Sequence, residues 1–203
     1  MVRIWQRKKN DADEYPGVGF CGGTLIARRQ VITAAHCVYE QDPNDNNRVI
    51  RILRPDEVAV RVGDHNIFKE GEEGERFVNV NEIRKHPQLI QDVPGDWDHD
   101  HGFDIAILVL AEDLDLKLYT PACMAKENEV FDGKTGIAVG WGAQQEFPSL
   151  DFPEVPLEVD LVVAPKGTDE SCPTICRYGI ICRKRAFFIQ MTNDHSSFQN
   201  YSD

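Results

Sequence analysis

One histidine and one aspartate carry the chemistry open to this chain. His36 closes the apolar run Val31-Ile-Thr-Ala-Ala35 and is followed at once by Cys37. Asp104 stands at the mouth of a second run, Ile105-Ala-Ile-Leu-Val-Leu110. A neutral imidazole can take a proton from a hydroxyl near neutral pH and return it to a leaving group. An anionic partner fixes its tautomer and stabilises the imidazolium, a role Asp104 fills if the two loops converge. Taken one at a time, the plainer alternatives are a partly buried histidine and a strand-capping aspartate. The pair calls for a third group, a nucleophilic serine in a glycine-rich turn.

The elements that must hold these residues are short and β-rich. The pattern predicts strands at Val2–Trp5, Phe20–Ile26, Val31–Thr33, Val58–Val62, Phe77–Ile83 and Ile105–Leu110, with Gly136–Trp141 and Val155–Val163 further on. Val58-Ala-Val-Arg-Val62 alternates in the manner of a half-buried strand. Without a long amphipathic helix, these strands predict an all-β antiparallel barrel or sandwich. Val38–Arg54, with its Asp42-Pro-Asn-Asp-Asn-Asn47 core, reads as a polar surface loop, and Pro87–Phe103 as a second, acidic one. Thr192–Asp203 reads as a polar tail.

A net charge of −12 argues against nucleic acid as a partner, because a phosphate backbone needs a basic surface. It also disfavours anionic membranes. The longest apolar run, Ile105–Ala111, is far short of the roughly 20 residues that span a bilayer. The amino terminus carries charges where a signal peptide needs an apolar stretch. Six cysteines nevertheless suit an oxidising compartment, so secretion is expected and a missing front end reconciles the two.

Cys21-Gly-Gly-Thr-Leu-Ile26, Thr33-Ala-Ala-His36-Cys37, Val62-Gly-Asp-His-Asn66, His86-Pro87, Asp104-Ile-Ala-Ile-Leu108, Pro121-Ala-Cys123 and Gly140-Trp-Gly142 occur in one order along the chain. That set resembles the trypsin/chymotrypsin family of serine endopeptidases. The resemblance implies an all-β, trypsin-like double antiparallel barrel. The first barrel would cover about 1–120 and be near complete, a truncated second barrel would cover 121–182, and 183–203 would be an atypical tail. It also implies His36 as general base, Asp104 as its orienting partner, a Cys21–Cys37 disulfide that holds the histidine in place, and protein or peptide substrates.

The family's nucleophile lies in Gly-Asp-Ser-Gly-Gly, whose backbone amides also form the oxyanion hole. The chain contains no such segment; its serines are Ser149, Ser171, Ser196, Ser197 and Ser202. Asp194-His-Ser-Ser197 is the nearest likeness and lacks the glycines for a tight turn. Loss of the serine alone costs a comparable enzyme about a million-fold in turnover. The 203 residues as written are therefore expected to be inactive, a partial record of a longer enzyme, and unstable because absent strands would leave unpaired edges and exposed apolar surface. The alternative is a non-catalytic homologue that binds or regulates a partner.

The stretch Asp64–Glu75 resembles the calcium-binding loop of trypsins, which implies Asp64, Glu70 and Glu75 as ligands of a structural calcium; no cofactor is required for the chemistry itself. A solvated acidic loop is the competing reading. Asp64 is one carbon shorter than the family's glutamate, and the loop is longer by one residue. His99-Asp100-His101 could hold a transition metal or simply be exposed. Cys172, Cys176 and Cys182 leave two pairings open, and the resemblance sends Cys123 to a cysteine outside these residues.

Overall fold

The computed structural model describes residues 1–7, 19–42, 45–87, 95–96, 103–142 and 152–163. Six strands close into one antiparallel barrel: β1 (Val2–Gln6), β2 (Gly19–Ala27), β3 (Gln30–Thr33), β6 (Val58–Val62), β7 (Arg76–Lys85) and β9 (Ala106–Leu110). Around the barrel they run β1-β2-β3-β9-β7-β6. Each matches an expected strand to within a few residues, and the all-β, trypsin-like fold is confirmed.

Alternation fills the interior. Ala106, Leu108 and Leu110 of β9 are buried while Ile107 and Val109 are half-buried. Ile4, Val31, Val58, Val60 and Leu108 are wholly inaccessible. Closure removes free edges from this sheet, so its backbone donors and acceptors are paired within the chain.

Two expectations are corrected. Val38–Arg54 is not a polar loop, because β4 (Tyr39–Asp42) and β5 (Asp45–Ile52) pair as an irregular hairpin. Val38, Tyr39, Val49 and Leu53 join the hydrophobic core, and register shifts at Gln41 break the alternation that would have marked the strands. β8 (Gly95–Asp96), inside the stretch expected as the acidic loop, extends this hairpin to a three-stranded sheet. The rest of that loop lies largely outside the described residues. Val58–Val62, secondly, is buried at all five positions, Arg61 included.

Beyond the barrel, β10 (Thr135–Gly140) and β11 (Leu157–Val162) match the strands expected at Gly136–Trp141 and Val155–Val163, and they pair antiparallel in unbroken register.

Candidate active site

His36 sits on a 3-10 turn, Ala35–Val38, that begins two residues after β3 ends. The turn is anchored from both sides. Cys21 of β2 and Cys37 of the turn form a disulfide with their Cα atoms 6.0 Å apart, and the Thr33 hydroxyl donates to the Gly22 carbonyl at 2.9 Å. Asp104 lies two residues before β9, where Thr33 of β3 faces Ala106. That pairing brings the turn and the carboxylate together across the rim of the barrel.

The carboxylate grips the histidine at two points. His36 Nδ1 is 2.7 Å from Asp104 Oδ2, and the His36 backbone N–H donates to Oδ1 at 2.9 Å. An ionised carboxylate only accepts, so Nδ1 carries the proton and Nε2 presents its lone pair on the opposite edge of the ring. Burial pushes the Asp104 carboxyl up, but the His36 side chain, the imidazole's charge and the His36 and Ala35 amides outweigh it and hold Asp104 below the usual range. Tyr39 packs behind the site, its phenol pushed up to about 12 by burial and then by the Asp104 charge.

The approach to Asp104 is shaped by a residue in an uncommon conformation. Phe103 has φ +60°, and its ring stacks on His86 with centroids 4.5 Å apart and planes 11° from parallel. The His86 amide donates to the Ile105 carbonyl at 3.1 Å, and the Ile105 amide to the Phe103 carbonyl at 2.7 Å. A bulky side chain at positive φ is strained, and the stack and these two bonds hold it there. His86 lies within a matching motif and Phe103 just before one, but no sequence rule pairs an aromatic with a histidine 17 positions earlier.

Cys21, His36 and Cys37 place their ligand atoms within 4.8 Å of one another. Both sulfurs are committed to the disulfide, so the cluster lacks the thiolates a metal would take.

Two of the three expected calcium ligands have other partners. Asp64 Oδ2 receives Arg3 Nη1 at 2.9 Å and lies 3.6 Å from Arg61 Nε. Glu75 pairs with Arg61 and also accepts the Glu72 amide at 2.9 Å. Glu70 is exposed. Glu72, not among the expected ligands, orders the loop by accepting the His65 and Asn66 amides at 2.7 and 2.8 Å. Those bonds, the Asn66 one foremost, hold its carboxyl below the ordinary range. Ser149, Ser171, Ser196, Ser197 and Ser202, the His99-Asp100-His101 set, and Cys172, Cys176 and Cys182 lie outside the described residues. Cys123 is exposed and, among the described residues, forms no disulfide.

The model of the Trypsin family matches residues 5–187. Serine protease gd of Drosophila melanogaster is 27% identical over 176 residues, covering 82% of this chain and 29% of that protein. Human mannan-binding lectin serine protease 1 is 28% identical over 154 residues, 75% of this chain and 20% of the relative. Chymotrypsin-like elastase family member 1 of Rattus norvegicus is 33% identical over 149 residues, 65% of this chain and 47% of its own length. The chain thus spans between a fifth and about half of the relatives it matches.

Proposed function

From the premise that the chain belongs to the trypsin family, we propose that His36 and Asp104 are the base and the orienting acid of a secreted serine endopeptidase. The observation that carries this reading is the two-point grip of Asp104 on His36, by Oδ2 on Nδ1 and by Oδ1 on the backbone amide. His36 Nε2 would take the proton of a serine hydroxyl as its oxygen attacks the carbonyl carbon of a peptide bond. The imidazolium, steadied by Asp104, would then hand that proton to the departing amine. Water would cleave the resulting acyl-enzyme by the same exchange in reverse, with His36 again the base.

The 203 residues contain no Gly-Asp-Ser-Gly-Gly. On this reading they supply the base and its orienting carboxylate without a nucleophile or oxyanion hole, and by themselves they do not cut peptides. The Cys21–Cys37 disulfide supports residence in an oxidising compartment.

Reading the transcript beyond the codon for Ile181 tests the assignment. A Gly-Asp-Ser-Gly-Gly segment in frame is expected, and protein carrying it should react with a fluorophosphonate probe in a manner abolished by His36→Ala. The 203-residue chain should stay unlabelled. Stoichiometric labelling at Ser196 would overturn the inactive reading, and a verified stop after Asp203 would replace the enzyme with a binding homologue.

A further inference from the structure

We propose that a guanidinium, not a divalent ion, is the resident cation of the 63–76 loop, and that this arginine-clamped loop seats β10 and the segment before β11 on the barrel without calcium. The starting point is a register fact. Arg3 of β1 and Arg61 of β6 stand directly opposite one another, and like charges so placed repel unless countered. Both are buried, at 9% and 3% exposure, so water does little to screen them. Asp64 and Glu75 supply the counter-charges: Asp64 bonds Arg3 and approaches Arg61, and Glu75 pairs with Arg61. Two positive and two negative groups then sum to zero inside a covered site.

Aromatic faces complete the enclosure. Arg3 lies over Trp5 at 5.1 Å and Trp141 at 5.9 Å, and Arg61 over Trp5 at 5.7 Å and Phe77 at 5.6 Å. Such contacts favour a desolvated guanidinium.

Most of the carboxylate oxygens in the loop that a calcium would need serve other partners, and Glu70 stands exposed. Calcium takes six to eight oxygen ligands. Glu75 gives one oxygen to Arg61 and the other to the Glu72 amide, and Glu72 Oε2 serves two amides. The Asn66 carbonyl accepts the Lys69 amide at 3.0 Å. Asp64 Oδ1 alone among these is buried with no hydrogen-bond partner, and one orphan oxygen beside two arginines is no cage for a doubly charged ion. The shorter side chain of Asp64 draws its carboxylate to the barrel wall, where the arginines are.

The same loop contacts the segment before β11. The Ile67 amide donates to the Glu154 carbonyl at 2.8 Å, Asn66 Nδ2 to the Glu154 carboxylate at 3.0 Å, and Trp141 Nε1 to the His65 carbonyl at 3.0 Å. Neutralising Asp64 and Glu75 from within therefore also fixes the surface on which these residues rest.

Calcium titration of the 203-residue chain, followed by calorimetry and by thermal melts in calcium and in EDTA, tests this without any catalytic readout, so it stands apart from the proposed activity. No saturable heat and the same Tm in both buffers are expected. Arg61→Met should melt at lower temperature and acquire a calcium-dependent rise in Tm, since Glu75 then lacks its cation and Asp64 keeps only Arg3. Should that variant fail to fold, Arg61→Lys, which keeps the charge but not the fork, should melt lower yet remain indifferent to calcium. Stoichiometric calcium binding by the wild type that Asp64→Asn abolishes would overturn the proposal, as would an Arg61→Met variant that melts like the wild type.

Discussion

Thr33 faces Ala106 across the β3–β9 ladder, and this one register pair sets the distance between His36 and Asp104. Each functional residue lies a few positions beyond its member of the pair, on a segment with little freedom of its own. The disulfide restrains one segment, and the Phe103–His86 stack restrains the other. A slip of one residue would turn every side chain of β9 to the opposite face and carry Asp104 away with it.

Asp104→Asn preserves the shape of the partner and removes its charge. As a neutral amide it can accept or donate, so the tautomer with Nδ1 protonated is no longer enforced. In a form of the protein that carries a nucleophile, kcat should fall about ten-thousand-fold with little change in Tm. Steady-state kinetics paired with a thermal melt separate this from a loss of folding.

Removing the disulfide by a Cys21→Ala, Cys37→Ala double substitution should destabilise the chain by about 3 kcal/mol, as the cross-link closes a loop of 16 residues. Denaturant unfolding of the two forms under oxidising conditions gives the difference. The same substitution should leave the β10–β11 register intact, because that hairpin shares no covalent link with the turn.

Acid should unfold the protein through carboxylates held low in the folded state. Glu57 falls from 4.5 to about 2, first through its hydrogen bonds with Arg51, whose guanidinium reaches it at 2.6 and 3.0 Å. Asp104 is shifted the same way. With folded values below unfolded ones, the stabilisation is complete above about pH 5 and drains away as pH falls through the folded values. At the alkaline end Tyr39, raised from 10 to about 12, favours the folded state until pH climbs through that range. Glu57→Gln should cost about 1 kcal/mol at neutral pH, discounted because Arg51 is 40% exposed, and should flatten the acid limb of a stability–pH curve.

Gly63 and Gly71 both adopt positive φ, at +70° and +76°, yet their surroundings differ. A Cβ on Gly63 would lie 2.4 Å from the Gly74 carbonyl oxygen, whereas one on Gly71 would meet nothing within 4 Å. Gly71→Ala should therefore cost only the backbone strain, about 1 kcal/mol, and Gly63→Ala about 3 kcal/mol or more. Chemical denaturation of the two variants side by side checks the ordering.

The barrel strands were legible because a closed sheet with one buried face writes period-two alternation into its residues, as Ala106, Leu108 and Leu110 show. The β4–β5 hairpin was not. Its register shifts break the alternation, and its polar connection, Asp42-Pro-Asn-Asp45, resembles a loop in composition. Arg61 misled in another way. In Val58-Ala-Val-Arg-Val62 an arginine marks a solvent-facing position by rule, but here a distant acidic loop covers that face.

Residue types and their local order determined by themselves that this chain builds β-strands around an apolar core, with an imidazole and a carboxylate at the ends of two of them. Those properties depend on side-chain chemistry and near neighbours, which the order of residues states outright. Only the tertiary structure decided that His36 and Asp104 meet at 2.7 Å and that Asp64 and Glu75 face arginines. Contacts between residues 68 or 61 positions apart depend on strand register and barrel closure, and these are set by the packing of the whole sheet.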